Sequence, residues 1–178
     1  MPPPTVNITW NWLDWTPSDT WTKNIVPALA EAGIKENELN RCVYVVRANG
    51  IFAIKYGEKE SPAIYIGRGN FKDRITQHKN WLKPLVDLVG EFKFQIGITF
   101  PRVRNNNMAY KDFEAFLIQE FQKIYGCAPL ANKRLESRRT EYEYAPKADV
   151  RSAIMIGKGV KFQWALSPMR SSKYFRKP

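Results

Sequence analysis

The chain has 178 residues, 44% of them hydrophobic and 13% aromatic, which is enough to bury a core and excludes wholesale disorder. Its 28 Lys and Arg against 17 Asp and Glu give a formal charge of +11, an excess that favours a polyanionic partner, nucleic acid ahead of anionic membrane. Two cysteines, Cys42 in an apolar strand and Cys127 near a turn, read as reduced core thiols and suggest neither a disulfide framework nor a thiolate zinc site; without an apolar run of spanning length or a basic-then-apolar leader, a cytoplasmic protein is expected.

Residues 1–40 read as a Trp-rich prefix with Trp10, Trp12, Trp15 and Trp21, expected to pack onto the domain rather than to stack on bases. Within it, Ser18 or Asp19 is placed to cap a helix that runs through Trp21, Ile25 and Leu29 and stops at Gly33. From Arg41 the pattern turns to strands. Val43–Val46 and Ile51–Ile54 flank Asn49-Gly50, a strong hairpin signal, and 57–61 is polar and loop-like before a strand from Ala63 to Ile66. Gly67 and Gly69 form a corner, after which Asn70 and Asp73 suit the start of an amphipathic helix. On that helix Arg74 and His78 share one face, while Phe71, Ile75 and Leu82 form the core stripe. A helical turn or two is expected after Pro84, then a strand over 92–98, then a basic, Asn-rich loop over 102–107.

The segment 108–125 has helical spacing, with Phe113, Phe116, Leu117, Phe121 and Ile124 on one side and Gly126 as its stop. Glu114 and Glu120 both border that apolar side. Residues 134–178 form a basic, aromatic extension, from Arg134, Arg138 and Arg139 to Lys173, Tyr174, Phe175, Arg176 and Lys177. Cations interleaved with aromatics suit a phosphate backbone.

Tyr65-Ile66-Gly67, then Arg74 and His78, resemble the second motif of the GIY-YIG nucleases and its Arg-x-x-x-His pattern. Cys42-Val43-Tyr44 is similar to the first motif, with the tyrosine kept and its glycine and isoleucine replaced. Phe113-Glu114-Ala115-Phe116-Leu117-Ile118 looks like the glutamate-bearing helix, and Pro129-Leu130-Ala131-Asn132 like the closing asparagine. The resemblance covers residues 41–133, the nuclease-like core, and implies an α/β (α+β) fold with a small central antiparallel sheet of three or more strands flanked by helices.

What it implies for chemistry is a DNA endonuclease that hydrolyses phosphodiester bonds with one divalent ion, Mg²⁺ or Mn²⁺, per active site. Glu114 is the preferred metal ligand because Leu117 and Ile118 follow it as in the family, although Glu120 lies nearer Asn132, at a separation the family commonly shows. Arg74 suits the growing charge on the phosphate, and His78 a proton relay or phosphate contact. Tyr44, ahead of Tyr65, is expected to be the general base, aided by Arg47 and Arg74 because a phenol ordinarily titrates near about 10. Asn132 would steady the site. Arg47, Arg68, Lys72, Arg138 and Arg139 are candidate nucleic-acid contacts. A restriction-like enzyme working as a homodimer on DNA is the first expectation. A structure-selective repair or recombination nuclease, or a catalytically silent nucleic-acid-binding module, are the alternatives.

Overall fold

The computed structural model describes residues 3–89, 93–133 and 136–172. Phe92, Arg134 and the tail cations and aromatics from Lys173 to Lys177 lie outside the described residues. The architecture is mixed α+β around a four-stranded antiparallel sheet. In chain order the first elements are β1 (Thr5–Asn7), β2 (Asn11–Trp15), α1 (Val26–Glu31), β3 (Val43–Asn49), β4 (Phe52–Tyr56), β5 (Lys59–Ser61) and β6 (Ala63–Arg68). They are followed by α2 (Phe71–Val89), β7 (Lys93–Thr99), α3 (Ala109–Tyr125), β8 (Glu143–Ala145), α4 (Lys147–Ser152) and β9 (Trp164–Leu166).

The central sheet has the order β2-β7-β3-β6, so β3 sits inside it and β6 is an edge. β3 is buried along nearly its whole length, as an apolar run such as Val43-Tyr44-Val45-Val46 requires. The Trp-rich prefix is part of this sheet: β2 pairs along β7, and Trp12 lies over Gly97, where a Cβ would come within 2.6 Å of the indole. Trp15 is buried and the other three prefix tryptophans pack against the core, so the ring surface is spent on packing. Its helix forms as expected but is capped by Thr20, which accepts the Lys23 N–H, rather than by Ser18 or Asp19. A π-helical turn, Trp21–Ile25, precedes α1.

Three local expectations are corrected. Asn49-Gly50 does not make a hairpin of β3 with β4, because β3 is already paired on both edges, with β6 and β7. β4 instead pairs with β5, across a turn at Gly57 (φ 63°), and with β9 in parallel. The polar stretch expected as loop is therefore partly strand. Pro84 does not break the helix: α2 runs unbroken through it, and the carbonyl it leaves without a donor belongs to Asn80, which faces solvent. β8 and β9, unforeseen in the C-terminal extension, pair in parallel with β1 and β4 respectively.

α2 covers one face of the sheet with Phe71, Ile75 and Leu82, all fully buried and each contributing about 1.5–3 kcal/mol by leaving water. α3 packs against β3 and β6, buries Phe113, Leu117 and Phe121, and ends at Gly126 in the left-handed region (φ 78°). Among the described residues no helix is long and apolar enough to cross a membrane.

Candidate active site

Adjacent strands bring the two tyrosines together. β3 and β6 pair so that Tyr44 lies opposite Gly67 and Val46 opposite Tyr65. Tyr44 and Tyr65 thus occupy one face of the sheet, with ring centroids 6.0 Å apart. Gly67 makes this possible: a Cβ there would meet Tyr65 Cε1 at 2.5 Å and Tyr44 Cζ and Oη at 2.7 Å. The corner then turns through two left-handed residues, Gly69 (φ 51°) and Asn70 (φ 44°). Asn70 does precede α2, but it contributes its carbonyl, which accepts the Arg74 N–H at 3.0 Å.

α2 places His78 against both phenols, its ring centroid 4.5 Å from that of Tyr65 and 5.9 Å from that of Tyr44. Both imidazole nitrogens are engaged. Trp81 Nε1 donates to His78 Nδ1 at 3.1 Å, and His78 Nε2 lies 3.1 Å from Tyr44 Oη. An indole N–H can only donate, so Nδ1 must accept, the neutral ring carries its proton on Nε2, and His78 donates to Tyr44. Tyr44 Oη, which accepts from His78, lies on the same face as Tyr65, whose charge when ionised would oppose that of Tyr44. The chain Trp81–His78–Tyr44 therefore has one direction, each donor pointing towards Tyr44.

Electrostatics fit that order. Burial, reinforced by the Arg74 charge, lowers His78 to about 4, so the ring is neutral near pH 7. Burial raises Tyr44 well above the ordinary phenol range. Burial also raises half-buried Tyr65, but the Arg74 and Arg68 charges work to lower it. With both nitrogens engaged and only 5% of its surface exposed, His78 has no free ring nitrogen to offer a ligand.

α3 carries the acid to the same end of the sheet. Glu114 is 6% exposed and lies 3.1 Å from Arg68 Nε, at the end of β6. Burial pushes its carboxyl up to about 7; the Arg68 charge pulls it back in part, Glu136 adds repulsion and Arg74 a further pull. The Arg68 contact is an ion pair without hydrogen-bond alignment, so Oε2 is a buried acceptor with no hydrogen-bond partner among the described residues. Glu114 in turn raises Tyr65, which ties acid, phenol and guanidinia into one field.

Glu120 is turned elsewhere. Its two oxygens meet Lys123 (2.9 Å) and Arg151 (3.0 Å), and these bonds outweigh burial and bring it below the ordinary carboxylate range. The two glutamates that looked equivalent along the helix thus have separate surroundings. Among the described residues no group of three or more His, Cys, Asp or Glu side chains gathers.

Asn132 closes the open edge of β6. Its Oδ1 accepts the Ile66 N–H at 2.9 Å and its Nδ2 donates to the Ile66 carbonyl at 2.7 Å, as a neighbouring strand would. The residue it grips stands between Tyr65 and Gly67.

The remaining candidates divide. Arg74 is exposed and has no ion-pair partner among the described residues. Arg68 belongs to the site through Glu114 and also reaches Glu136 at 3.5 Å. Arg47 is not a neighbour of Tyr44: an odd number of residues along the strand, it lies on the other face, donates to the Ser152 carbonyl at 3.1 Å and stacks 4.8 Å from the Trp12 ring. The cause of the Tyr44 shift does not include it. Lys72 is exposed beside the Trp21 ring, and Arg138 lies 5.7 Å from the Phe116 ring. Arg139 is exposed, its backbone N–H anchored at 2.7 Å by Asp112.

Sequence reasoning missed Trp81. Its spacing of three from His78 was the available signal, since residues so spaced are neighbours on a helix. Glu136 carried no local signal; only the fold brings it to Arg68. No family model, curated protein or solved structure matches the chain.

Proposed function

We propose that this chain is a divalent-metal-dependent DNA endonuclease of GIY-YIG type, hydrolysing a phosphodiester bond at the corner between β6 and α2. What carries the reading is the gathering of Tyr44, Tyr65 and His78 on one face of the sheet, with the exposed Arg74 and the Glu114 carboxylate in the same field. The formal charge of +11 suits a DNA substrate, and the reading places the protein in the cytoplasm.

Hydrolysis needs a water to lose a proton, charge to be neutralised on the phosphoryl oxygens, and a stable leaving oxygen. Tyr65 is better suited than Tyr44 to be the base. It is half-buried where Tyr44 is sealed, and its ionised form is favoured by the Arg74 and Arg68 guanidinia. Tyr44 and His78 then orient it from behind, which departs from the preference for Tyr44 that the resemblance suggested. Arg74, not consumed by an ion pair, is available to the phosphate as charge grows. Asn132 holds Ile66, and with it the backbone beside Tyr65.

Glu114 fits a single Mg²⁺ or Mn²⁺. Its Oε2 is buried and lacks a hydrogen-bond partner among the described residues, and hard cations of this kind accept one carboxylate with water completing the shell. When bound, such an ion would neutralise a non-bridging oxygen and the leaving oxygen. Arg68 must share or yield the carboxylate at that moment.

The reading extends to a site-specific, restriction-like enzyme that dimerises on DNA so that both strands are cut. Supercoiled plasmid incubated with protein and Mg²⁺ is expected to be nicked and linearised, and chelator to stop it. Arg74→Ala should lower the rate about 10²–10³-fold, the cost of losing one donor to transition-state charge. Sequencing the new ends should return a common motif. Folded protein that cuts no DNA in either Mg²⁺ or Mn²⁺ would end the proposal, and branch-dependent nicking would move it to structure-selective repair.

A further inference from the structure

Beside the corner lies a cleft of about 820 Å³. One wall is the 3-10 turn Glu36–Arg41, with Asn37, Asn40 and Arg41; the other is the loop after β7, with Asn105, Asn106 and Asn107. It adjoins the candidate active site directly. A Cβ on Gly69, next to Arg68, would stand 2.9 Å from the Asn40 carbonyl oxygen and 3.7 Å from the Tyr110 ring, and Tyr110 lines the cleft floor with Phe100.

The walls are fixed, and most of their amides are not used in fixing them. Arg102 bridges to Glu38 and so ties loop to turn. Asn106 spends both ends of its amide, donating to Tyr142 Oη at 2.6 Å and accepting the Met108 N–H at 2.9 Å. By contrast, the side chains of Asn37, Asn40, Asn105 and Asn107 and the Arg41 guanidinium make no hydrogen bond or ion pair among the described residues, and all five residues are exposed. Asn105 holds a left-handed backbone (φ 61°), which presents its side chain from the tip of the turn closed by Asn106 N–H and the Val103 carbonyl.

Asparagine amides pair a donor with an acceptor, the combination that reads adenine N7 and N6 bidentately in a major groove, and an arginine fork does the same for guanine N7 and O6. A lysine-rich wall would grip phosphates regardless of sequence; an asparagine-rich lining in which Arg102 is paired with Glu38 and Arg41 has no ion pair among the described residues is built to discriminate. We infer that this cleft is the sequence-reading subsite of the protein, taking base edges of duplex DNA on Asn37, Asn40, Arg41, Asn105 and Asn107. This rests on the nuclease reading for the identity of the DNA partner. Because the cleft adjoins the corner, the bases read lie within a few base pairs of the cut, at about 3.4 Å per step along the strand.

The test is selection of bound duplexes from a pool with a randomised central segment, in chelator so that nothing is cut. Wild type is compared with Asn40→Ala, Asn107→Ala and Asn105→Gly; glycine keeps the left-handed backbone while removing the amide. Melting curves check that each variant is folded. Wild type is expected to enrich one motif, and each variant to lose discrimination at one or two positions by roughly five- to a hundredfold. Variants that enrich the wild-type motif position for position, or a wild type that enriches none, would overturn the inference. Plasmid cutting in Mg²⁺ separates the two claims. A protein that selects a motif through these residues yet never cuts keeps the cleft and loses the nuclease, and one that cuts with a pattern unchanged in all three variants does the reverse.

Discussion

Tyr44 Oη lies 3.1 Å from His78 Nε2, and the bond runs from imidazole to phenol because Trp81 occupies Nδ1 as a donor. Protonating His78 would set a second N–H against that of Trp81. Trp81→Phe should therefore raise the His78 pKa from about 4 towards its ordinary value. The chain has one histidine, so a single imidazole resonance followed against pH by NMR reads this directly. An unchanged titration would mean that the indole does not set the tautomer.

Two opposed linkages should flatten stability below neutrality. His78 binds a proton in the unfolded chain near 6.5 but in the folded one only near 4, so stability drops as pH falls through that window, by roughly 3 kcal/mol in all. Glu114 goes the other way: its folded carboxyl keeps a proton up to about 7 against 4.5 unfolded, so stability drops as pH rises between those values. Glu114→Gln removes the second slope. Urea midpoints for the variant should rise with pH from 4 to 6.5 more steeply than for wild type, the difference between the two growing from about pH 4.5 to about pH 7 and levelling off above.

The two glutamates should separate in function. Glu114→Gln is expected to abolish cutting and, in a melt, to erase any stabilisation by Mn²⁺. In wild type that stabilisation should strengthen as pH rises through about 7, since metal and proton compete for one carboxylate. Glu120→Gln loses ion pairs to exposed partners, should cost no more than about 1 kcal/mol, and should cut normally. Normal cutting by the Glu114 variant would move the metal elsewhere.

Gly67→Ala inserts a methyl between two tyrosine rings on a strand pinned by Tyr44 pairing. Overpacking of this kind costs about 1–3 kcal/mol. Denaturant unfolding should show that loss, with cutting lost beyond it because both phenols must move. A variant as stable as wild type would show that the rings have room that the geometry denies them.

Asn132→Asp keeps the acceptor for Ile66 N–H but sets a second oxygen against the Ile66 carbonyl. The expected loss is about 1–3 kcal/mol, the cost of an unsatisfied buried group, and faster amide exchange at Ile66. Amide protection at Ile66 unchanged from wild type would deny Asn132 its role at the strand edge.

Much of the site was legible because it is local. A strand, a glycine corner and a helix fix where Tyr65, Arg74 and His78 stand relative to one another, and short-range periodicity is enough to read that. Hairpin chemistry misled at Asn49-Gly50, where a good turn signal met a strand with no free edge. Arg47 misled for a related reason, since the alternation of a strand decides the face before any charge is considered.

Residue types and spacing determined the antiparallel core, the helix stripes and the set of groups that could do phosphoryl chemistry. Tertiary structure alone decided which glutamate meets the phenols, that Trp81 gives the hydrogen-bond chain its direction, and that two distant asparagine-bearing segments face each other across a cleft. The physical reason is that orientation and shielding come from non-local packing: two glutamates on one helix differ only in what the rest of the chain lays against them.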